Sequence, residues 1–319
     1  MSWRVVAEKD FRDAVRSRWL WGLSLFFVAF IAGSTALFYT VVGSGDGAAT
    51  SKDLFGLFAG AGFLSFSYTG LLAFALVFIA LITSYAAVVG ERDSGTLKLL
   101  LSLPHSRRDV VVGKVLGRSG VVVAPVVLGF LVAAVVMVVA GVRVNFGTYL
   151  PQVLLTSLLG VVFVAVGVGL SASARTSRRA TLTVFGLYFL FSVLWASVPS
   201  GVVSLVNEAR KALGMETIAA ATEVKLQLFL KHLNPLRAYE TLVAQVYFAA
   251  QSGSSQLPPD VQARILKAGF GTRVVIREQG LFADSLPLYL STGFMFVVLL
   301  AWGIVPPLLG FLAFDDADL

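Results

Sequence analysis

Cysteine is absent from the 319 residues, and histidine occurs only twice, at His105 and His232. The first absence excludes a disulfide framework, a thiolate zinc site, an iron–sulfur cluster and a cysteine nucleophile. The second leaves no multi-histidine metal site within one chain. Charge is scarce as well. Asp, Glu, Lys and Arg make up 13% of the chain against 57% apolar residues, and the mean hydropathy is +0.85. A soluble domain carries about twice that share of charge, so a soluble globular protein, a disordered chain and a coiled coil are excluded. No internal repeat is visible.

What remains is apolar sequence in long runs. Six stretches lack charge: Trp19–Gly45, Leu54–Gly90, Ser119–Val142, Val144–Ala174, Ala180–Asn207 and Ser285–Phe314. About 20 apolar helical residues span a bilayer core, and a lipid-exposed backbone must satisfy its own hydrogen bonds. Runs such as Leu187–Phe191 are apolar on every side and lack the alternation of a membrane barrel. The expected fold is therefore all-α, a polytopic membrane protein with six transmembrane helices. Leu54–Gly90 has 37 residues, too many for one upright span. Leu54–Ser67 is expected at the interface or re-entering the membrane, with Tyr68–Val89 crossing it.

Orientation follows from Lys and Arg in the short connections. The segment before the first span, the second-to-third connection and the fourth-to-fifth connection hold fourteen basic residues. The two short connections on the other side hold two, Lys52 and Arg143. Both termini are expected to be cytoplasmic, in a cell (plasma or inner) membrane. The net charge of +7 is then a topology signal and calls for no nucleic acid. The first apolar run follows mixed charge and lacks a small-residue cleavage pattern, which predicts a span and not a removable signal.

Before the first span, Trp3, Ala7, Phe11 and Val15 recur every fourth residue, with Arg4, Glu8, Arg12 and Arg16 on another face. This predicts an amphipathic surface helix over residues 1–18. The first five spans and their connections occupy 19–206. A long extracytoplasmic loop is expected over 207–285, with amphipathic helices at Glu208–His232 and Pro235–Gln251. Leu236, Tyr239, Leu242, Val243 and Val246 share a face of the second. The last span covers 286–314 and a tail covers 315–319. Pro306-Pro307 should kink the last span or end its regular hydrogen bonding. No ionisable residue falls inside the six cores, whereas ion-coupled carriers place such groups there. Energy is therefore expected to enter from elsewhere.

The densest pattern is GERDSGTLKLLLSLPHSRRDVVVGKVLGR, Gly90–Arg118. A span ends at Gly90, and Glu91, Arg92 and Asp93 form a charged collar. Ser94-Gly95-Thr96 turns the chain, and Leu97, Leu99, Leu100, Leu101 and Leu103 make a short apolar helix that Pro104 stops. Ser106-Arg107-Arg108 returns the chain to the surface, and Lys114 marks entry into the next span. A short apolar helix flanked by charge suits docking in a groove of another protein. A cytoplasmic loop of any polytopic protein would also use basic residues for orientation and Gly and Pro for turning. His105 reads as a solvated loop histidine and His232 as an interfacial one.

The pattern G-E-R-x-x-G-T-L-x-x-L-L-S-x-P-x-S-R resembles the cytoplasmic loop of ABC-2 type (type-2 ABC exporter) permeases. The opening Glu8-Lys9-Asp10-Phe11-Arg12-Asp13 with Arg16-Ser17-Arg18-Trp19 resembles theirs too. Within that family the chain is most similar to the permeases of nitrous-oxide reductase maturation systems. The resemblance implies a permease subunit that dimerises, is not itself an enzyme, and couples to a separate ABC ATPase that binds and hydrolyses ATP with Mg, for export. It implies a coupling helix in the 90–114 loop, with Glu91, Arg92, Gly95, Thr96, Leu97, Leu99, Leu100, Pro104, Ser106, Arg107 and Lys114 docking the ATPase. It implies a smaller contact at Arg175–Arg179, an N-terminal elbow helix, and no cofactor bound by the permease itself. No G-x-x-x-x-G-K-[ST] motif occurs in the chain, so an ATPase would be another polypeptide. Two further readings stand beside this one. One is a membrane anchor or assembly partner for an extracytoplasmic protein in metalloenzyme maturation. The other is a membrane-embedded enzyme, for which no intramembrane carboxylate pair or paired histidines are found.

Overall fold

The computed structural model describes residues 3–16, 18–42, 68–97, 106–141, 144–252 and 287–315, and all regular structure among them is helical. Helix α1 covers Trp3–Val15, α2 Arg18–Val42, α3 Tyr68–Ser84 and α4 Val89–Asp93. Helix α5 covers Arg107–Val139, α6 Phe146–Ser173 and α7 Ser177–Ser192. Helix α8 covers Val198–Ala212, α9 Ala220–His232, α10 Pro235–Ser252 and α11 Thr292–Asp315. Among the described residues, four helices are long and apolar enough to cross a membrane: Thr69–Asp93 taken through its turn, Arg107–Val139, Phe146–Ser173 and Thr292–Asp315. Helix α2 carries a shorter apolar segment, Ser24–Ala36. The expected interfacial segment Leu54–Ser67 lies outside the described residues.

Helix α6 is the central post. Its most apolar window is 72% buried, whereas that of α11 is 22% buried, so α11 leaves most of its apolar surface for lipid or a partner. Helices α3, α5, α10 and α11 all pack on α6. Glycines set how close they come. A Cβ on Gly169 would lie 2.4 Å from the Pro306 carbonyl oxygen of α11, and one on Gly310 would lie 2.2 Å from that of Gly169. Two backbones touch there, which only small residues permit. Helix α11 continues to Asp315 through Pro306 and Pro307, so the prolines do not end it. Their missing N–H groups fall where α11 lies against the backbone of α6.

Two breaks interrupt apolar runs, and each has a partner for the backbone groups it frees. Between α3 and α4 the chain turns over Tyr85–Val88. The Val88 and Val89 N–H groups donate to the Ser171 hydroxyl of α6, at 3.0 and 3.1 Å. The uncharged run Ala180–Asn207, expected as one span, is divided between α7 and α8 by a 3₁₀ turn at Leu194–Ala196. Pro199 explains the division. It has no N–H for the Trp195 carbonyl, and it sits in the first turn of α8, where that loss costs nothing.

The expected helix Glu208–His232 is divided, its first residues ending α8 at Ala212 and α9 beginning at Ala220, whereas α10 covers the second expected helix; α9 and α10 are packed into the bundle. Leu236, Tyr239, Leu242 and Val243 are buried, and α10 lies along α6 and α11. The Tyr239 hydroxyl meets Gln152 Nε2 at 3.0 Å and Thr156 Oγ1 at 2.8 Å on α6. The hairpin tip, Leu233-Asn234, reaches Trp302 and Phe191. The Trp302 indole donates to the Leu233 carbonyl at 2.9 Å, the Trp195 indole to that of Leu230 at 3.2 Å, and the Asn234 amide to that of Phe191 at 2.8 Å. Carbonyls left over at the end of α9 and at the break after α7 are thus satisfied by side chains. Trp302 lies about 20 Å along α11 from its charged end at Asp315, so the tip is at mid-bundle depth. His232, expected at an interface, is fully buried, with Lys231 and Arg237 nearly so. The absence of ionisable groups from the six runs therefore does not extend to the bundle, because this hairpin carries them in. Sequence alone could not reveal this, since the Arg237–Glu240 pair (2.7 Å) compensates charge that would otherwise keep the segment in water.

Candidate functional site

The charged end of the bundle gathers the Gly90–Arg118 motif. Helix α4 ends at a Ser94 cap followed by Gly95 at φ +74°, whose N–H bonds the Arg92 carbonyl at 3.1 Å. A left-handed residue in that position is what glycine supplies at least cost. The turn Asp93–Thr96 is exposed, and Leu97 immediately after it is buried in the core. Leu99, Leu100 and Pro104 lie outside the described residues. The chain re-enters at Ser106, which caps α5 in a reciprocal box. Its hydroxyl accepts the Asp109 N–H at 3.1 Å, and the Asp109 carboxylate accepts the Ser106 N–H at 3.4 Å.

The collar residues turn inward. Glu91 Oε1 lies 2.9 Å from Lys114 Nζ and 3.8 Å from Lys9 Nζ. Lys114 is 2% exposed, so it is a buried ion-pair centre and its ammonium faces this chain. Its second carboxylate is Asp10 of α1, at 3.5 Å, and Arg118 Nε reaches the same carboxylate at 2.7 Å. Arg118 also donates to the Thr83 carbonyl at the end of α3, at 2.5 Å. Helix α1 can reach these groups because α5 presents glycines. A Cβ on Gly113 would lie 2.6 Å from that of Val6, and one on Gly117 would lie 2.7 Å from the Ala7 carbonyl oxygen. Trp3, Phe11 and Val15 of the apolar stripe stay exposed.

Arg92 and Arg107 bind helix ends. Arg92 Nη1 donates to the Ala174 carbonyl after α6 at 2.8 Å, and Arg107 donates to the Phe314 carbonyl and, at 2.6 Å, to that of Asp315. Cations at helix C-termini meet the negative end of the helix dipole. Both guanidinium groups also lie on the buried Phe314 ring, at 5.6 and 5.3 Å from its centre. The second connection joins here too. Asp93 accepts the Ser177 N–H at 3.0 Å, together with its hydroxyl, at the start of α7.

The structure thus brings Glu91, Arg92, Arg107 and Lys114 into one joint, leaves Thr96 exposed beside it, and adds residues not singled out as site residues: Asp10, Asp93, Ser177, Phe314 and the Gly113/Gly117 pair. A faint signal for them existed. Val6 and Asp10, and Gly113 and Gly117, are each four apart, which puts each pair on one helix face. Chemically, the joint is ionic and mechanical. It fuses the ends of α1, α3, α4, α5, α6, α7 and α11 around one exposed turn.

Long apolar helices closing on a charged joint at one end define a polytopic membrane protein. The family model for ABC-2 family transporter proteins matches residues 4–319, and the chain belongs to that family, the membrane subunits of ABC transporters. It is 32% identical over 202 residues to the "Probable ABC transporter permease protein NosY" of Stutzerimonas stutzeri and 33% identical over 202 residues to the protein of that name from Pseudomonas aeruginosa. Each match covers 60% of this chain and 66% of the relative, a little under two thirds of the relatives' length.

Proposed function

We propose that this chain is the permease of an ATP-driven exporter, working as a pair of copies moved by a separate ATPase. In this reading α2 and the divided α7–α8 run complete six crossings, the charged joint faces the cytoplasm, and the leucine-rich segment after Leu97 seats on the ATPase. The observation that carries it is the joint itself. An exposed turn is fixed by buried ion pairs and arginine-capped helix ends to most of the bundle, so a push on the turn moves several helices together. ATP and Mg belong to the partner, as the chain lacks a P-loop. Closure of the ATPases would favour one orientation of the bundles through its differential contact with the two loops. Packing of the α9–α10 hairpin at mid-depth supports a role for it in the path or its outer gate.

Two measurements test the reading. Affinity purification of the tagged chain from its native membrane should bring down a P-loop ATPase in comparable amount. Leu99→Glu with Leu100→Glu should leave the chain in the membrane while abolishing its stimulation of ATP turnover. Recovery of the chain without any ATPase, or full stimulation by the double variant, overturns it.

A further inference from the structure

We propose that Asp10 is a positioning residue of the coupling element, locking α1 to the collar so that the surface helix and the loop move as one body. This rests on the coupling role given above to the Gly90–Arg118 loop. Asp10 is 6% exposed, on a helix that leaves Trp3, Phe11 and Val15 exposed. An apolar residue would anchor α1 on α5 at least as well, since buried ion pairs contribute little net stability against a well-packed apolar replacement. What the carboxylate adds is register and a chain of partners. Asp10 holds Lys114 and Arg118; Lys114 holds Glu91 at the head of the loop; Arg118 holds the end of α3 through Thr83. Gly113 and Gly117 bring the two backbones close enough for the short carboxylate to reach. Lys9, on the same turn of α1, sits 3.8 Å from the same Glu91 oxygen. Helix α1 is thereby tied to the loop both directly and through α5, while its exposed apolar stripe suits the bilayer surface. A displacement of the loop must then drag α1 along that surface, or be resisted by it.

The test uses the full complex with its ATPase, reconstituted in lipid, with a spin label on Leu288→Cys, an exposed position in a chain without native cysteine. The readout is the nucleotide-induced shift in label-to-label distance between the two copies, with a non-hydrolysable ATP analogue as the probe. Asp10→Asn should keep the ATPase bound while reducing the nucleotide-driven equilibrium shift between about two- and thirty-fold. Asp10→Glu should restore it. Glu91→Gln, which also removes the direct Lys9 contact, should give at least the same loss, and the double variant Asp10→Asn with Glu91→Gln should be no worse than Glu91→Gln alone, because both routes from α1 to the loop pass through Glu91. An unchanged shift in Asp10→Asn, no rescue by Asp10→Glu, or multiplying losses in the double variant overturns the proposal. Should Asp10→Asn fail to accumulate, Glu91→Gln alone decides, since it leaves Asp10 with both its cations. A wild-type complex that holds no ATPase or gives no nucleotide response counts against the exporter reading, and is distinguished from these outcomes by that control.

Discussion

Lys114 sits where two carboxylates converge, at 2.9 Å from Glu91 and 3.5 Å from Asp10, and its burial sets what its loss would do. Removing one member of a buried charge set strands the others, at a cost of about 3–5 kcal/mol. Lys114→Ala should therefore lower the unfolding midpoint in detergent markedly. Lys211→Ala, which breaks an exposed pair with Glu208, should give no measurable change, since exposed pairs contribute little. Gly117 makes a steric prediction at the same scale. Its Cβ position is 2.7 Å from a backbone oxygen of α1, which cannot rotate away as a side-chain tip could. Gly117→Val should cost about 1–3 kcal/mol by overpacking and expose α1 to protease earlier than in the parent protein. Phe314 shows how two arginines of the same sign can share a place: each guanidinium donates to a helix-end carbonyl and lies on the ring, contacts that offset the repulsion between them.

Among the elements, the breaks are more informative than the regular helices. The turn between α3 and α4 leaves two buried N–H groups that depend on one hydroxyl, Ser171. Ser171→Ala should cost about 1–3 kcal/mol, the penalty of buried donors left unsatisfied, and should speed amide exchange at Val88 and Val89 above that of neighbouring helical amides. The contact between α6 and α11 is set by Gly169 and Gly310, each against the other helix's backbone. Gly169→Ala should force the helices apart and weaken the seating of Phe314 between the two arginines. The α9–α10 hairpin depends on indole donors. Trp302→Phe keeps the apolar volume but removes the hydrogen bond to Leu233, and should loosen the tip without unfolding the bundle, as read by amide exchange over residues 230–238.

At the scale of the whole molecule, the charged joint lies at one end and the open end of the hairpin at the other. The residues that mark these ends are exposed: Thr96 beside the joint and Leu288 before α11. Because the chain has no cysteine, a single introduced cysteine reports topology without background. Thr96→Cys should react with an impermeant maleimide only from the cytoplasmic side, and Leu288→Cys only from the opposite side. The reverse pattern would overturn the orientation read from Lys and Arg, and labelling of both from one side would overturn their placement at opposite ends. The described residues leave most of the apolar surface of α11 uncovered, a surface suited to lipid or to a second copy.

Composition and spacing by themselves determined the class. Scarce charge in long uncharged runs leaves only helices that satisfy their own backbones, and the GERxxGTL pattern with its flanking charges marked the end of the bundle where the joint lies. These are legible because hydrophobic length and turn chemistry are local properties. What only the tertiary structure decided was pairing across distance. Lys114 reads as a basic flank until Asp10, more than a hundred residues earlier, is brought beside it. The hairpin of α9 and α10 reads as part of an extracytoplasmic loop with amphipathic helices because its charges are counted one by one, while in the fold Lys231, His232 and Arg237 are buried and its tip is held by Trp195 and Trp302 from other helices. A sequence records which groups need partners; the packing of α1 on α5 and of the hairpin on α6 decides which partners they get.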